Sequence, residues 1–285
     1  MSDEPAFAAA YDAALAPWPV PVEALDVPTP SGPTRVHRCG PADGPPVVFL
    51  PGGGATSLAW LGVAHGLGRT HRLHAVDLVG DVGRSIPTRP PRTAGDFVRW
   101  VGAVLDGLGP PAAHLVGHSY GAWIALRTAL DAPARVRRLA LLDPTSCVAG
   151  YRPAYLLRAL PLLARPTPDR FRAFLRWETG GAALDPAWLE VAALGAGLPT
   201  SLVHPRRPRA AELRALDVPV LVVLAGRSRA HDVRRVAARA RTLLPDVDVI
   251  ELPDATHHTI PVHDPGPLVA VLQRYLRAPP GAGGG

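Results

Sequence analysis

The chain has 285 residues, 47% of them hydrophobic and 19% charged. That is ample apolar material for a large core and excludes disorder over most of the length. At about 100–200 residues per domain, the length allows one or two domains, or a single α/β unit with an insertion. The net charge of +6 is carried by Arg alone: the 30 basic residues include no Lys, and the chain contains no Asn. Together with the excess of Ala, Pro and Gly, this reads as genomic base composition, not as a binding adaptation. Ten Arg stand against five acids between Gly150 and Arg214. No basic run is interleaved with aromatics, however, and no recognition module is present, so nucleic acid is excluded as a partner. The start, Met1-Ser2-Asp3-Glu4-Pro5, lacks the positive, then apolar, pattern of a signal peptide. No apolar run approaches the length of a membrane span. Cys39 and Cys147 make neither a disulfide framework nor a metal-ligand spacing. The expectation is a soluble, cytoplasmic protein with no metal and no cofactor.

Residues 6–16 read as a short helix, ended by the Pro-rich stretch 17–21, which cannot continue it. Alternating residues at 22–27 and 34–38 predict two edge-type strands with a turn between them. Pro46-Val47-Val48-Phe49-Leu50 is apolar throughout and stops at Pro51-Gly52-Gly53-Gly54, the pattern of a strand buried on both faces. A helix is expected at 58–68, a strand at 72–78 and a helix at 96–108. A short strand at 114–116, a helix at 122–130 and a buried strand at 136–142 follow. This alternation implies a mostly parallel sheet with helices on both faces. From about 144 to 217 it breaks into helical pieces (154–163, 169–177, 187–195) separated by Pro and Gly. It resumes with a strand at 218–224, a helix at 232–244, a strand at 247–252 and a helix at 265–277. The tail 279–285 is expected to be disordered, and no internal repeat is present. The expected organisation is an α/β core formed by 1–143 and 218–285, interrupted by a helical insertion at 144–217. An insertion there can cover the C-terminal edge of the sheet, where open α/β sheets bind ligands.

Gly117-His118-Ser119-Tyr120-Gly121 is a G-x-S-x-G motif between a strand and a helix, the context in which it holds a nucleophilic serine on a tight turn. The alternative is a Gly-flanked serine that serves only as the N-cap of the following helix. A serine nucleophile needs a base. His257 follows the last strand and precedes the last helix, which puts it at the same sheet edge, with His258 as the competing neighbour. The negative charge formed at an attacked carbonyl needs donors. The backbone N–H groups of Tyr120, just after the serine, and of Gly53, in the Gly-rich loop, are the candidates. That loop lacks the Gly-Lys-Ser/Thr ending of a phosphate-binding loop.

These motifs resemble the α/β-hydrolase superfamily, esterase type, over nearly the whole chain. Leu50-Pro51-Gly52-Gly53-Gly54 is similar to its His-Gly-x oxyanion loop, with Pro51 where His is commoner. Asp77-Leu78-Val79-Gly80-Asp81-Val82-Gly83-Arg84-Ser85 resembles its Asp-x-x-Gly-x-Gly-x-Ser loop. The resemblance implies an α/β-hydrolase fold, a helical cap and a Ser–His–acid triad. Having Ser119 as nucleophile argues against the dehalogenase and epoxide-hydrolase members, which use Asp. The acid departs from the pattern: the stretch after the 218–224 strand offers Ser228 or Arg229 at the usual place. Asp143, ending the 136–142 strand, and Asp232, a few residues past the usual place, are the two alternatives. Asp232 also reads as the N-cap of the next helix and Asp143 as a loop cap before Pro144.

The expected function is hydrolysis of a carboxylic ester of a small, mainly apolar substrate through an acyl-enzyme. Hydrolysis of an amide, lactone, thioester or C–C bond uses the same parts, and a cofactor-free perhydrolase would need the same triad. A weakly catalytic binding protein on this scaffold is the alternative from another class. Apolar residues of the insertion (Leu156, Leu157, Leu160, Leu162, Leu163, Phe171, Phe174, Trp177, Trp188) either line a pocket or pack helices together. Its Arg excess reads as a solvated face.

Overall fold

The computed structural model describes residues 4–18 and 20–277. The expected disorder of the tail at 279–285 lies outside the described residues. Eight strands form one sheet: β1 (Glu23–Val27), β2 (Thr34–Cys39), β3 (Pro46–Leu50), β4 (Arg72–Val76), β5 (Ala113–His118), β6 (Val136–Leu142), β7 (Val220–Ala225) and β8 (Val247–Leu252). Their spatial order is β1-β2-β4-β3-β5-β6-β7-β8. The β1–β2 and β2–β4 pairs are antiparallel, and every pair from β4 onward is parallel. β2 was expected at an edge but lies between β1 and β4. Its inward polar residues, Thr34 and His37, are fully buried and disguise an interior strand as an edge one.

Helices cover both faces. α1 (Glu4–Leu15), α2 (Leu61–Leu67, preceded by a 3₁₀ turn at Ser57–Trp60) and α10 (Gly266–Arg277) pack on one side. α3 (Ala94–Leu108), α4 (Tyr120–Asp131) and α9 (Val233–Leu243) pack on the other. The strands divide between the two layers by their period of two. Val47 and Phe49 face the first layer, Val48 and Leu50 the second; Ala140 and Leu142 face the first, Leu139 and Leu141 the second. Runs that are apolar at every position are therefore what a sheet covered on both faces requires. Each layer also holds one free, buried thiol, Cys39 in the first and Cys147 in the second. Between β6 and β7 run α5 (Pro153–Ala164), α6 (Pro168–Glu178), α7 (Pro186–Gly195) and the short α8 (Ala210–Arg214), the last not foreseen from the sequence. No helix among the described residues is long and apolar enough to cross a membrane.

The first layer contains one buried polar knot. The Tyr11 hydroxyl donates to Asp77 Oδ2 at 2.9 Å and lies 2.9 Å from Ser57 Oγ, while the Ser57 and Arg84 N–H groups donate to the same carboxylate. This fixes α1 to the loop after β4, which returns beside the Gly-rich loop. Tyr11→Phe strips one donor from a buried carboxylate. It is expected to lower the unfolding free energy by about 1–3 kcal/mol, read from urea denaturation.

Candidate active site

Ser119 sits between β5 and α4 with φ 51° and ψ −110°, a left-handed conformation that costs a non-glycine residue about 1–3 kcal/mol. The turn is so tight that its flanking positions must be glycine. A Cβ on Gly121 would lie 2.1 Å from the Leu50 carbonyl oxygen, and one on Gly117 would lie 2.4 Å from the Gly121 carbonyl oxygen. The strained backbone aims the Ser119 hydroxyl toward the loop that joins β8 to α10.

That loop delivers His257. Its Nε2 lies 2.9 Å from Ser119 Oγ, and its Nδ1 lies 2.6 Å from Asp143 Oδ2. With Asp143 ionised, Nδ1–H is the donor and Nε2 is the acceptor facing the serine hydroxyl. Asp143 follows β6 directly, in a left-handed backbone conformation (φ 39°), and is fully buried. Besides His257 it accepts the Ala225 N–H at 3.0 Å, the Ser228 hydroxyl at 2.8 Å and His231 Nε2–H at 3.0 Å. Burial pushes its carboxyl up. The neighbouring His231 and His257, and the bonds they donate, outweigh that and hold it well below the usual carboxylate range. His257 shifts the other way: burial lowers it beneath 6.5 although Asp143 pulls it up, which favours the neutral imidazole.

Of the two candidate acids, then, Asp143 reaches His257 and Asp232 does not. Asp232 caps α9, its Oδ1 accepting the Arg235 N–H at 3.0 Å, and its side chain is solvated. The stretch after β7, where an acid was looked for, instead supplies two of the donors that hold Asp143. His258, the competitor for the serine, turns away and pairs through Nδ1 with Glu178 at 3.1 Å. His118 is buried and pushed down to about 3 by burial and by the neighbouring His257 and His258. It is therefore neutral, and its Nε2–H donates to the His257 carbonyl at 2.8 Å.

The Gly-rich loop after β3 lies against this group. A Cβ on Gly52 would come 3.4 Å from the Ser119 Cβ, and one on Gly53 would come 3.6 Å from the Tyr120 Cβ. Asp81, in the loop after β4, holds this segment by accepting the Gly54 N–H at 2.8 Å. Tyr120 opens α4, where the first N–H groups have no acceptor within their own helix. Gly53 and Tyr120 thus stand side by side, next to Ser119.

The segment between β6 and β7 places aromatics against His257. Tyr155 on α5 meets the His257 ring edge-on at 6.3 Å and stacks on Tyr151 at 5.6 Å, with Phe174 and Trp177 of α6 behind it. Thr145 Oγ1 lies 3.3 Å from Ser119 Oγ, and the Tyr151 phenol faces both hydroxyls. Four leucines of α5 expected to line a pocket or pack between helices are not buried between helices: Leu156, Leu157, Leu160 and Leu163 are 44–69% exposed. Glu178, at the end of α6, was not foreseen. It is fully buried, accepts the N–H groups of His257 (3.0 Å) and His258 (3.2 Å), and accepts the Thr256 hydroxyl at 3.1 Å. Burial pushes its carboxyl up, but the His258 contact and the charges of His258 and His257 bring it down to about 2.

A serine, a histidine and a buried carboxylate in one hydrogen-bonded line, on an eight-stranded sheet with helices on both faces, define a hydrolase architecture. Residues 47–271 match the model of the alpha/beta hydrolase family, and the chain belongs to that family. It is 29% identical over 260 residues to carboxylesterase YbfK of Bacillus subtilis, covering 88% of this chain and 87% of that one. The crystal structure of that carboxylesterase, CesB (YbfK), superposes with a TM-score of 0.91 at 27% identity over 97% of this chain and 99% of the other. The naproxen esterase (carboxylesterase NP) of Bacillus subtilis superposes with a TM-score of 0.89 at 26% identity, over the same shares.

The carboxyl of Glu178 titrates at about 2 instead of its ordinary 4.5, so it stabilises the fold above the unfolded value and loses that contribution as pH falls toward 2. At about 1.4 kcal/mol per pH unit, the contribution is about 3 kcal/mol. Urea unfolding measured from pH 6 down to pH 3 is expected to show a steep loss of stability in the parent and a shallower one in Glu178→Gln.

Proposed function

We propose that the chain is a serine esterase that hydrolyses carboxylic esters of small, mainly apolar substrates. The observation that carries this reading is the unbroken line from Ser119 Oγ to His257 Nε2 (2.9 Å) and from His257 Nδ1 to Asp143 Oδ2 (2.6 Å). Relatives named carboxylesterase, 27–29% identical over most of the chain, support it. Ser119 Oγ attacks the ester carbonyl carbon while His257 Nε2 takes the hydroxyl proton, and Asp143 holds the resulting imidazolium. The carbonyl electron pair moves onto oxygen, where the N–H groups of Gly53 and Tyr120 stabilise it, each donor contributing about 3 kcal/mol to the transition state. Collapse breaks the C–O bond, and the alcohol leaves with the proton from His257. Water, deprotonated by the same nitrogen, attacks the acyl-serine, releases the acid and returns the proton to Ser119. Residues 144–217 act as a cap on the core formed by 1–143 and 218–285, with Tyr151, Tyr155 and Phe174 presenting an apolar wall to the substrate. The contact of Asp143 with His257 speaks against a weakly catalytic binding protein on this scaffold.

The test is hydrolysis of p-nitrophenyl acetate, butyrate and octanoate. Ser119→Ala is expected to lower kcat by about 10⁴-fold or more, and Asp143→Asn by about 10³–10⁴-fold. Asp232→Asn is expected to stay within about twofold of the parent. A parent that takes a fluorophosphonate on Ser119 but turns over none of these esters would overturn the ester assignment. Because burial depresses His257, the acid limb of kcat/KM is expected below pH 6.5, activity falling as the imidazole becomes protonated. A limb at or above 6.5 in a pH–rate profile would contradict the buried, neutral base.

A further inference from the structure

The loop that carries His257 runs from the end of β8 at Leu252 to the start of α10 at Gly266 without regular structure. Its internal bonds, Thr256 N–H to Thr259 Oγ1 and Ile260 N–H to the Thr256 carbonyl, fold a turn but leave the His257 and His258 N–H groups unused. Both point at one carboxylate. It belongs not to the core but to Glu178, 79 residues earlier in the chain, in the last turn of α6. The carboxylate meets four donor groups: Oε1 takes the His257 N–H, while Oε2 takes the His258 N–H, the Thr256 hydroxyl and His258 Nδ1. A buried carboxylate with that many donors is costly to disassemble, since removing it leaves buried N–H groups unpaired.

Building on the esterase reading, we infer that Glu178 is a positioning residue for the base. Asp143 fixes the imidazole ring and Glu178 fixes the backbone beneath it, so that His257 is held from the sheet and from the helical segment at once. Two consequences separate this from plain structural support. The first is electrostatic: Asp143 meets the His257 ring at Nδ1 and Glu178 meets its backbone N–H, and the negative charge of Glu178 favours the protonated imidazole. The other groups facing His257 are His231 behind Asp143, His118 beneath it, His258 beside it and the Tyr155 ring above it. The second is mechanical. α6 cannot lift from the core without releasing the two N–H groups that hold the base.

Glu178→Gln and Glu178→Asp, with folding verified by circular dichroism, test this on the full chain with p-nitrophenyl butyrate. Glu178→Gln keeps the shape but loses the charge and turns an NH₂ group toward one of the N–H donors. Its kcat is expected to fall about 10–100-fold with KM within about threefold, and the acid limb of the pH profile is expected to move to lower pH. Glu178→Asp keeps the charge but withdraws it by one methylene. Its kcat is expected to fall while its acid limb stays nearer the parent's than that of Glu178→Gln. A parent-like kcat and pH profile in Glu178→Gln would overturn the inference. Failure of both variants to fold would also overturn it, by assigning Glu178 to the fold alone. If the parent hydrolyses no ester, the esterase reading fails but the positioning role can still be judged. The downfield proton resonance of the His257 Nδ1–H bond to Asp143 is expected to shift or broaden in Glu178→Gln, and an unchanged resonance would overturn the role.

Discussion

A buried negative charge organises this molecule. Asp143 is fully buried, and an isolated carboxylate in such a place would be neutralised. Four donors keep it ionised, and they come from separate parts of the chain: the Ala225 N–H at the end of β7, Ser228 and His231 from the segment that follows, and His257 from the loop after β8. The charge thus ties together the ends of β6 and β7 and the approach to α10. Such an ion site contributes little net stability against an apolar replacement, but it makes one geometry far better than its neighbours. Here that geometry aims an imidazole at Ser119.

The turn at Ser119 depends on this anchoring in a second way. Its backbone is strained, and strain persists only where the surroundings over-determine it. Gly117 and Gly121 let β3, β5 and α4 approach more closely than any side chain at those positions would allow. The Ser119 hydroxyl is therefore placed by backbone sterics, and the imidazole opposite it by electrostatics. The two constraints are independent and meet within a single hydrogen bond.

How much of this could be read in advance follows from how local each signal is. The G-x-S-x-G turn, the Gly-rich loop and the strand–helix alternation are short-range patterns, and the fold and the positions of Ser119 and His257 were legible from them. Asp143 could be named only as one of two candidates, because the choice depends on which strand end faces His257 in space. Ser228 and His231 looked like an absence of acid, when they are donors to the acid that stands one strand away. Glu178 gave no signal at all: a single Glu near the end of an amphipathic helix reads as solvated surface, and only tertiary packing buries it. The α5 leucines misled for the opposite reason. Helical periodicity says that Leu and Tyr segregate to faces, but not which face meets the core, and Tyr155 with Ala159 took the inner one.

The two thiols, one in each layer on either side of the sheet, give the protein a built-in gauge of its own opening. Burial pushes both away from the reactive thiolate form, so a thiol reagent has nothing to attack while the chain is folded. Cys39 sits on β2, near the antiparallel end of the sheet, and Cys147 lies four residues past Asp143, in the segment that leads to α5. Labelling at Cys147 ahead of Cys39 would mean that the ground around Asp143 yields first. Labelling of both at one rate would mean that the sheet and its two layers come apart as a single unit.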